Sequence, residues 1–107
     1  MNPPILKTIV DLIVSEVSPY QIILFGSYAK GNHTPRSDID LLVLKKDLED
    51  EDRAIDKIYY SFLECDEINI PVDVIAMDYD RYLDVSDDLG YIYRSIKKEG
   101  RLIYESV

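Results

Sequence analysis

Two aspartates stand two residues apart in Asp38-Ile39-Asp40, ten residues after the pair Gly26-Ser27, and a third, Asp73, lies inside the apolar run Val72–Met77. On a strand, residues i and i+2 point to the same face, so Asp38 and Asp40 present their carboxylates side by side. Such a pair is repulsive unless a cation sits between its members. All-oxygen donors suit Mg²⁺, which takes one or two carboxylates together with substrate phosphates. Two such ions, roughly 4 Å apart, can activate an incoming hydroxyl and hold a triphosphate with its leaving group. Asp73 on a neighbouring strand would complete the donor set.

Gly26-Ser27 supplies the phosphate half of that chemistry. A strand that passes through Gly-Ser into a helix start aims unpaired backbone N–H groups outward, where the helix dipole favours negative charge. Gly26 lacks a Cβ and lets the backbone approach a phosphate closely; Ser27 adds a hydroxyl donor. Gly-Ser alone is a common turn, and its placement relative to the acids carries the argument. The residues by themselves imply metal-dependent chemistry on a triphosphate.

The elements that must position these groups can be read along the chain. Asn2, Pro3 and Pro4 mark a helix start, and Ile5, Ile9, Leu12, Ile13 and Val17 recur at helical spacing, so a first helix is expected over 3–16. Ser18-Pro19 breaks it. Residues 20–25, YQIILF, read as a strand, and a short helix is expected from Tyr28. Residues 32–37 form a loop around Pro35. Residues 39–44 are apolar apart from Asp40, the pattern of a central strand covered on both faces. A second long helix begins within 47–52, with Ile55, Ile58, Tyr59, Phe62 and Leu63 as its stripe. Residues 71–77, PVDVIAM, are a third strand. Asp78 can cap a helix at 79–84. Asp87 can cap another, with Leu89, Ile92, Tyr93 and Ile96 on one face and Gly100 as its stop. Residues 102–104 read as a last strand. Alternation of helices and strands gives an α/β class, a small mixed β-sheet with helices packed on it, and 107 residues make a single domain over 1–107.

Composition narrows the partners. The net charge of −9 repels nucleic acid, whose non-specific binding rests on Lys and Arg, so no stable nucleic-acid complex is expected. No run approaches the roughly 20 apolar residues of a membrane span. The start of the chain carries acids and lacks a signal peptide's basic start and small-residue cleavage site, and the cytoplasm is the expected compartment. Cys65 is alone, so it forms no internal disulfide and is expected to pack on a helix. Residues 47–67 hold nine acids against Arg53 and Lys57, either a solvated helix face or a docking face for a basic partner. His33, the single histidine, reads as a surface loop residue. Of nine tyrosines, Tyr20, Tyr59 and Tyr93 are expected in the core, Tyr28 beside the nucleotide pocket, and Tyr79, Tyr82 and Tyr91 at a partner interface.

The stretch GSYAKGNHTPRSDIDLLV over 26–43, with a later Asp73, resembles the nucleotidyltransferase superfamily related to DNA polymerase beta. Within it, the short length, the helix before the first strand, Lys30-Gly31, Ser37-Asp38 and the ending RSIKKEGRLIYE are similar to the minimal nucleotidyltransferase (MNT) family. That resemblance implies a polymerase beta-like fold and an MntA-type antitoxin of a HEPN/MNT toxin–antitoxin system. The implied activity is transfer of AMP from ATP to a tyrosine of a HEPN ribonuclease toxin. Carried over, Gly26 and Ser27 would hold the β- and γ-phosphates, and Asp38 and Asp40 both Mg²⁺ ions. Asp73 would bind the catalytic ion and help deprotonate the acceptor hydroxyl. Lys30 and Arg36 are either phosphate-binding cations, Arg36 bidentately, or ordinary surface charge.

Two other readings stand beside this one. The chain could modify a small hydroxylated molecule, although relatives that do so usually carry a further helical domain. In that case a homodimer could supply the missing wall. The chain could also neutralise a partner by binding alone, in a hetero-oligomer with the toxin. Three intact carboxylates speak against binding alone.

Overall fold

A computed structural model describes residues 3–85 and 90–107. The elements run α1 (Ile5–Val17), β1 (Gln21–Phe25), α2 (Gly26–Lys30), β2 (Ile39–Lys45), α3 (Glu51–Leu63), β3 (Val72–Asp78), α4 (Tyr79–Val85), α5 (Tyr91–Glu99) and β4 (Arg101–Glu105). The strands form one sheet in the order β3-β2-β1-β4, with β2 and β3 parallel and the other pairs antiparallel. This is the expected α/β class with a mixed sheet. Among the described residues no helix is long and apolar enough to cross a membrane. Asn2, Asp87 and Leu89, expected at helix starts or on a helix face, lie outside the described residues.

Strand parity divides the core. Along β2, Ile39, Leu41 and Val43 join Ile9 and Ile13 of α1 and Ile58 of α3, while Leu42 and Leu44 join Tyr82 of α4 and Ile96 of α5. A strand covered on both faces has to be nearly all apolar, and β2 is buried from Leu41 to Leu44. Each fully buried Ile or Leu contributes about 1.5–3 kcal/mol relative to exposure.

Local signals set the ends. The Asp50 carboxylate accepts from the Arg53 N–H at 3.0 Å and caps α3, with Glu51 and Asp52 in the first turn favoured by the dipole. The helix therefore starts at Glu51; Asp47, with φ 58°, stands outside it. Asp78 caps α4 as expected, accepting from the Arg81 N–H at 3.1 Å and from the Leu48 N–H at 3.0 Å. These backbone donors hold its carboxyl below the usual carboxylate range. Gly100 ends α5. A Cβ there would lie 2.8 Å from Ile23 Cγ2 and run into the Ile96 carbonyl, so only glycine lets the chain turn from α5 into β4 this close to β1.

Several side chains stand elsewhere than the apolar periodicity implies. Leu63, expected on the buried stripe of α3, is 80% exposed, because the helix ends there and the buried line runs through Ala54, Ile58 and Phe62. Cys65 is half-buried in the turn after α3 rather than on a helix. Tyr82, expected at an interface, is buried in the α4/α5 core. Tyr79 packs edge-on to Tyr20 at 4.7 Å, with the Lys46 ammonium 4.2 Å above the Tyr20 ring. The side chain of Tyr91 lies outside the described residues.

Candidate active site

The three aspartates meet at one end of the sheet. Asp40 is the second residue of β2 and pairs in register with Asp73 on parallel β3 and with Phe25 on antiparallel β1. Asp38 precedes β2 by one residue, just outside the strand, and keeps the parity of Asp40. All three thus belong to the face that carries Leu42 and Leu44. The helices α4 and α5 cover those leucines and leave the acidic end open: Asp38 and Asp40 are half-buried and Asp73 is exposed.

The loop before Asp38 is built to deliver it. Thr34-Pro35-Arg36-Ser37 closes a turn, with the Ser37 N–H donating to the Thr34 carbonyl at 3.0 Å, and proline at the second position suits such a turn. The Ser37 hydroxyl oxygen accepts from the Thr34 N–H at 2.8 Å, and the Thr34 hydroxyl oxygen from the Arg36 N–H at 3.2 Å. The chain enters β2 from a braced corner.

The carboxylates sense one another. Partial burial, then the charges of Asp73 and Asp38, push the Asp40 carboxyl up to about 6. Burial and the neighbouring Asp38 charge also raise Asp73. Like charges that close disfavour ionisation, and a divalent cation would remove that penalty. Among the described residues no three His, Cys, Asp or Glu side chains close as a ready cage; the trio is an open-sided shelf. Its all-oxygen donors fit a hard cation that also takes phosphate oxygens.

Gly26 closes the other side. It leaves β1 with φ +73°, and a Cβ on it would collide with an Asp40 carboxylate oxygen. Ser27 follows at the start of α2, half-buried, and its carbonyl accepts from the Asn32 N–H at 3.1 Å. The Gly-Ser turn and the acids, far apart along the chain, are therefore neighbours across the β1–β2 pair.

The remaining candidates divide. Arg36 is exposed in the braced turn. Lys30 is exposed at the end of α2 and pairs loosely with Glu99 at 3.9 Å. Tyr28 is corrected: it is buried in the α1/α3 core rather than lining a pocket. His33 stacks on its ring at 4.1 Å between centroids and 9° between planes, so the histidine is exposed yet fixed.

Sequence reasoning missed one contributor. Tyr59, read only as core, places its hydroxyl on the outer edge of β3, where it donates to the Val72 carbonyl at 3.2 Å and accepts from the Val74 N–H at 2.9 Å. It brackets Asp73 from both sides. An aromatic on an apolar stripe shows nothing of its hydroxyl partners, which belong to another element.

Comparison with known proteins agrees with this geometry. A family model described as nucleotidyltransferase domain matches residues 6–103. No curated protein matches the chain. Among solved structures, a toxin–antitoxin with AMP-PNP is similar at TM-score 0.66 and 20% identity, covering 94% of this chain and 73% of the other. A mutant of the MntA–HpeT toxin–antitoxin is similar at TM-score 0.66 and 19% identity, with the same coverage. A Sulfolobus solfataricus protein described as a nucleotidyltransferase matches at TM-score 0.59 and 24% identity, covering 94% and 78%. At these identities the structural likeness is one of fold.

Proposed function

Since the chain belongs to the nucleotidyltransferase domain family, whose pattern spans residues 6–103, we propose that it is a Mg²⁺-dependent protein adenylyltransferase. It transfers AMP from ATP to a tyrosine hydroxyl of a HEPN ribonuclease toxin and so acts as the antitoxin. The observation that carries this reading is the register pairing of Asp40 with Asp73, with Gly26 against the Asp40 carboxylate. The likeness in fold to a toxin–antitoxin with AMP-PNP supports the nucleotide and the setting.

Asp38, Asp40 and Asp73 are the groups that would hold two Mg²⁺ ions, whose chemistry is to neutralise triphosphate charge and acidify a hydroxyl. Gly26 and Ser27 receive the β- and γ-phosphates at the start of α2. Lys30 and Arg36 would supply cations to phosphate oxygens. The acceptor tyrosyl oxygen attacks the α-phosphorus in line. The bond from that phosphorus to the bridging oxygen of the β-phosphate breaks, and pyrophosphate leaves with the electron pair. The tyrosyl proton passes to the Asp73 carboxylate, which faces solvent on the open side of the shelf. An open shelf suits a protein acceptor, which brings its own surface.

The test is transfer of label from α-³²P-ATP to a HEPN toxin supplied as acceptor, with γ-labelled ATP as control. Label from the α position alone is expected. A stable complex with no label from either would replace this reading with neutralisation by binding.

A further inference from the structure

Away from the carboxylate shelf, an exposed apolar surface lies at the C-terminal end of α3. Leu63 is 80% exposed and Tyr60 68%. Leu63 and Phe62 line a groove with Ile68, Ile70 and Val72, between the end of α3 and the outer edge of β3. The segment joining the two sides carries Glu64, Asp66 and Glu67, all exposed. No Lys, Arg or His occurs between Lys57 and Arg81, so no basic residue of that stretch balances these acids.

We propose that this groove docks the protein acceptor, through a segment with apolar anchors flanked by lysine or arginine; the proposal rests on the reading of a protein substrate. The chemistry excludes other occupants. A second copy would bring the same acids and a charge of −9 against them, which like-charge repulsion opposes. Nucleic acid and anionic membrane are repelled for the same reason. The Tyr59 hydroxyl already fills the Val72 carbonyl and Val74 N–H on the β3 edge, so the occupant binds by burying side chains and not as a fifth strand. Val72, at the groove, is the chain neighbour of Asp73. A partner seated there and folded over the β3 edge brings a hydroxyl to the reacting shelf. The acids add steering at long range, the apolar anchors most of the affinity.

The experiment titrates the full ¹⁵N-labelled chain with two synthetic peptides that share a Leu-Leu core. One is flanked by lysines and its twin by glutamates; ATP and Mg²⁺ are absent. The lysine peptide is expected to shift amides around Phe62, Leu63, Ile68 and Ile70, with affinity about tenfold above its twin and falling with salt. Leu63→Asp, at an exposed position, should weaken it about tenfold, and Glu64→Lys with Glu67→Lys should reverse the preference. Equal binding of both peptides, no binding, shifts centred elsewhere, or self-association of the chain through this surface would each overturn the proposal. In the transfer assay, Leu63→Asp should raise the KM for the HEPN protein about tenfold and leave the KM for ATP unchanged. Peptide docking without any adenylyl transfer would sink the enzymatic reading and keep the groove; transfer untouched by Leu63→Asp would do the reverse.

Discussion

The Cα of Gly26 faces the carboxylate of Asp40 so closely that a methyl group on it would fill the space of a carboxylate oxygen. The end of β1 and the start of β2 thus put the Gly-Ser turn and the acids in one site. Gly26→Ala adds this collision to the cost of a left-handed backbone, φ +73°, which for an L-residue is about 1–2 kcal/mol. The expected result is a stability loss of at least that size in urea unfolding, with AMP transfer lost. An unchanged midpoint and rate would show that Gly26 does not hold Asp40 in place.

The Asp40 carboxyl, pushed up to about 6, links stability to pH. Its folded value is above the unfolded one, so the native state binds the proton more tightly. The stability from that proton is complete below about pH 4, the ordinary aspartate range, and is lost as pH rises through 6. Without divalent metal, Asp40→Asn should be more stable than the native chain at pH 8, with the gap closing as pH falls from about 6 to about 4. Denaturant titrations at several pH values measure it; a constant gap would mean that Asp40 is not perturbed.

A cation between the carboxylates removes their repulsion, and a ligand that binds only the folded state stabilises it. Mg²⁺ with ATP at 100 times Kd should contribute about 2.7 kcal/mol, seen as a rise in Tm that EDTA reverses. Asp38→Ala combined with Asp40→Ala should abolish the rise and the transfer while the chain stays folded. A full Tm shift in that double variant would place the nucleotide elsewhere.

Tyr59→Phe removes one oxygen and leaves the Val74 N–H and Val72 carbonyl on either side of Asp73 without their partner. Each polar group so orphaned costs about 1–3 kcal/mol when shielded from water. The variant should lose stability in this range and lower kcat with little change in the KM for ATP. A kcat equal to the native value would confine Tyr59 to a structural role.

Lys30 pairs with Glu99 at 3.9 Å on the surface, an interaction worth about 0–1 kcal/mol. Lys30→Ala should therefore leave stability almost unchanged. If its ammonium also meets phosphate, the KM for ATP rises severalfold, and Glu99→Ala does not reproduce the effect. Identical kinetics in all three chains would return Lys30 to surface charge.

Much of this was legible because it is local. The two-residue spacing of Asp38 and Asp40 puts both on one face in any strand. The Asp78 cap of α4 could be read from the residue type alone, and so could the stop at Gly100. Other features were not legible, because apolar periodicity marks a face and not its neighbours. Leu63 and Phe62 read alike, yet the helix ends at Leu63 and leaves it in water, while Phe62 is buried. Tyr28, read beside the pocket because it follows Gly-Ser, and Tyr82, read at an interface, both have their rings in the core.

The sequence by itself determined the chemistry of the site. Residue types set which atoms can bind a hard cation or a phosphate, and covalent spacing sets the parity of Asp38 and Asp40. The sequence could place Asp73 on a strand, but only tertiary structure set it beside Asp40. The chain is rich in acids, and the parallel register of β3 on β2, pairing Asp40 with Asp73, brings this one to the site. α3 packs back over the sheet and its Tyr59 hydroxyl bonds the edge of β3, contacts between groups whose distance in space is not written in their distance along the chain.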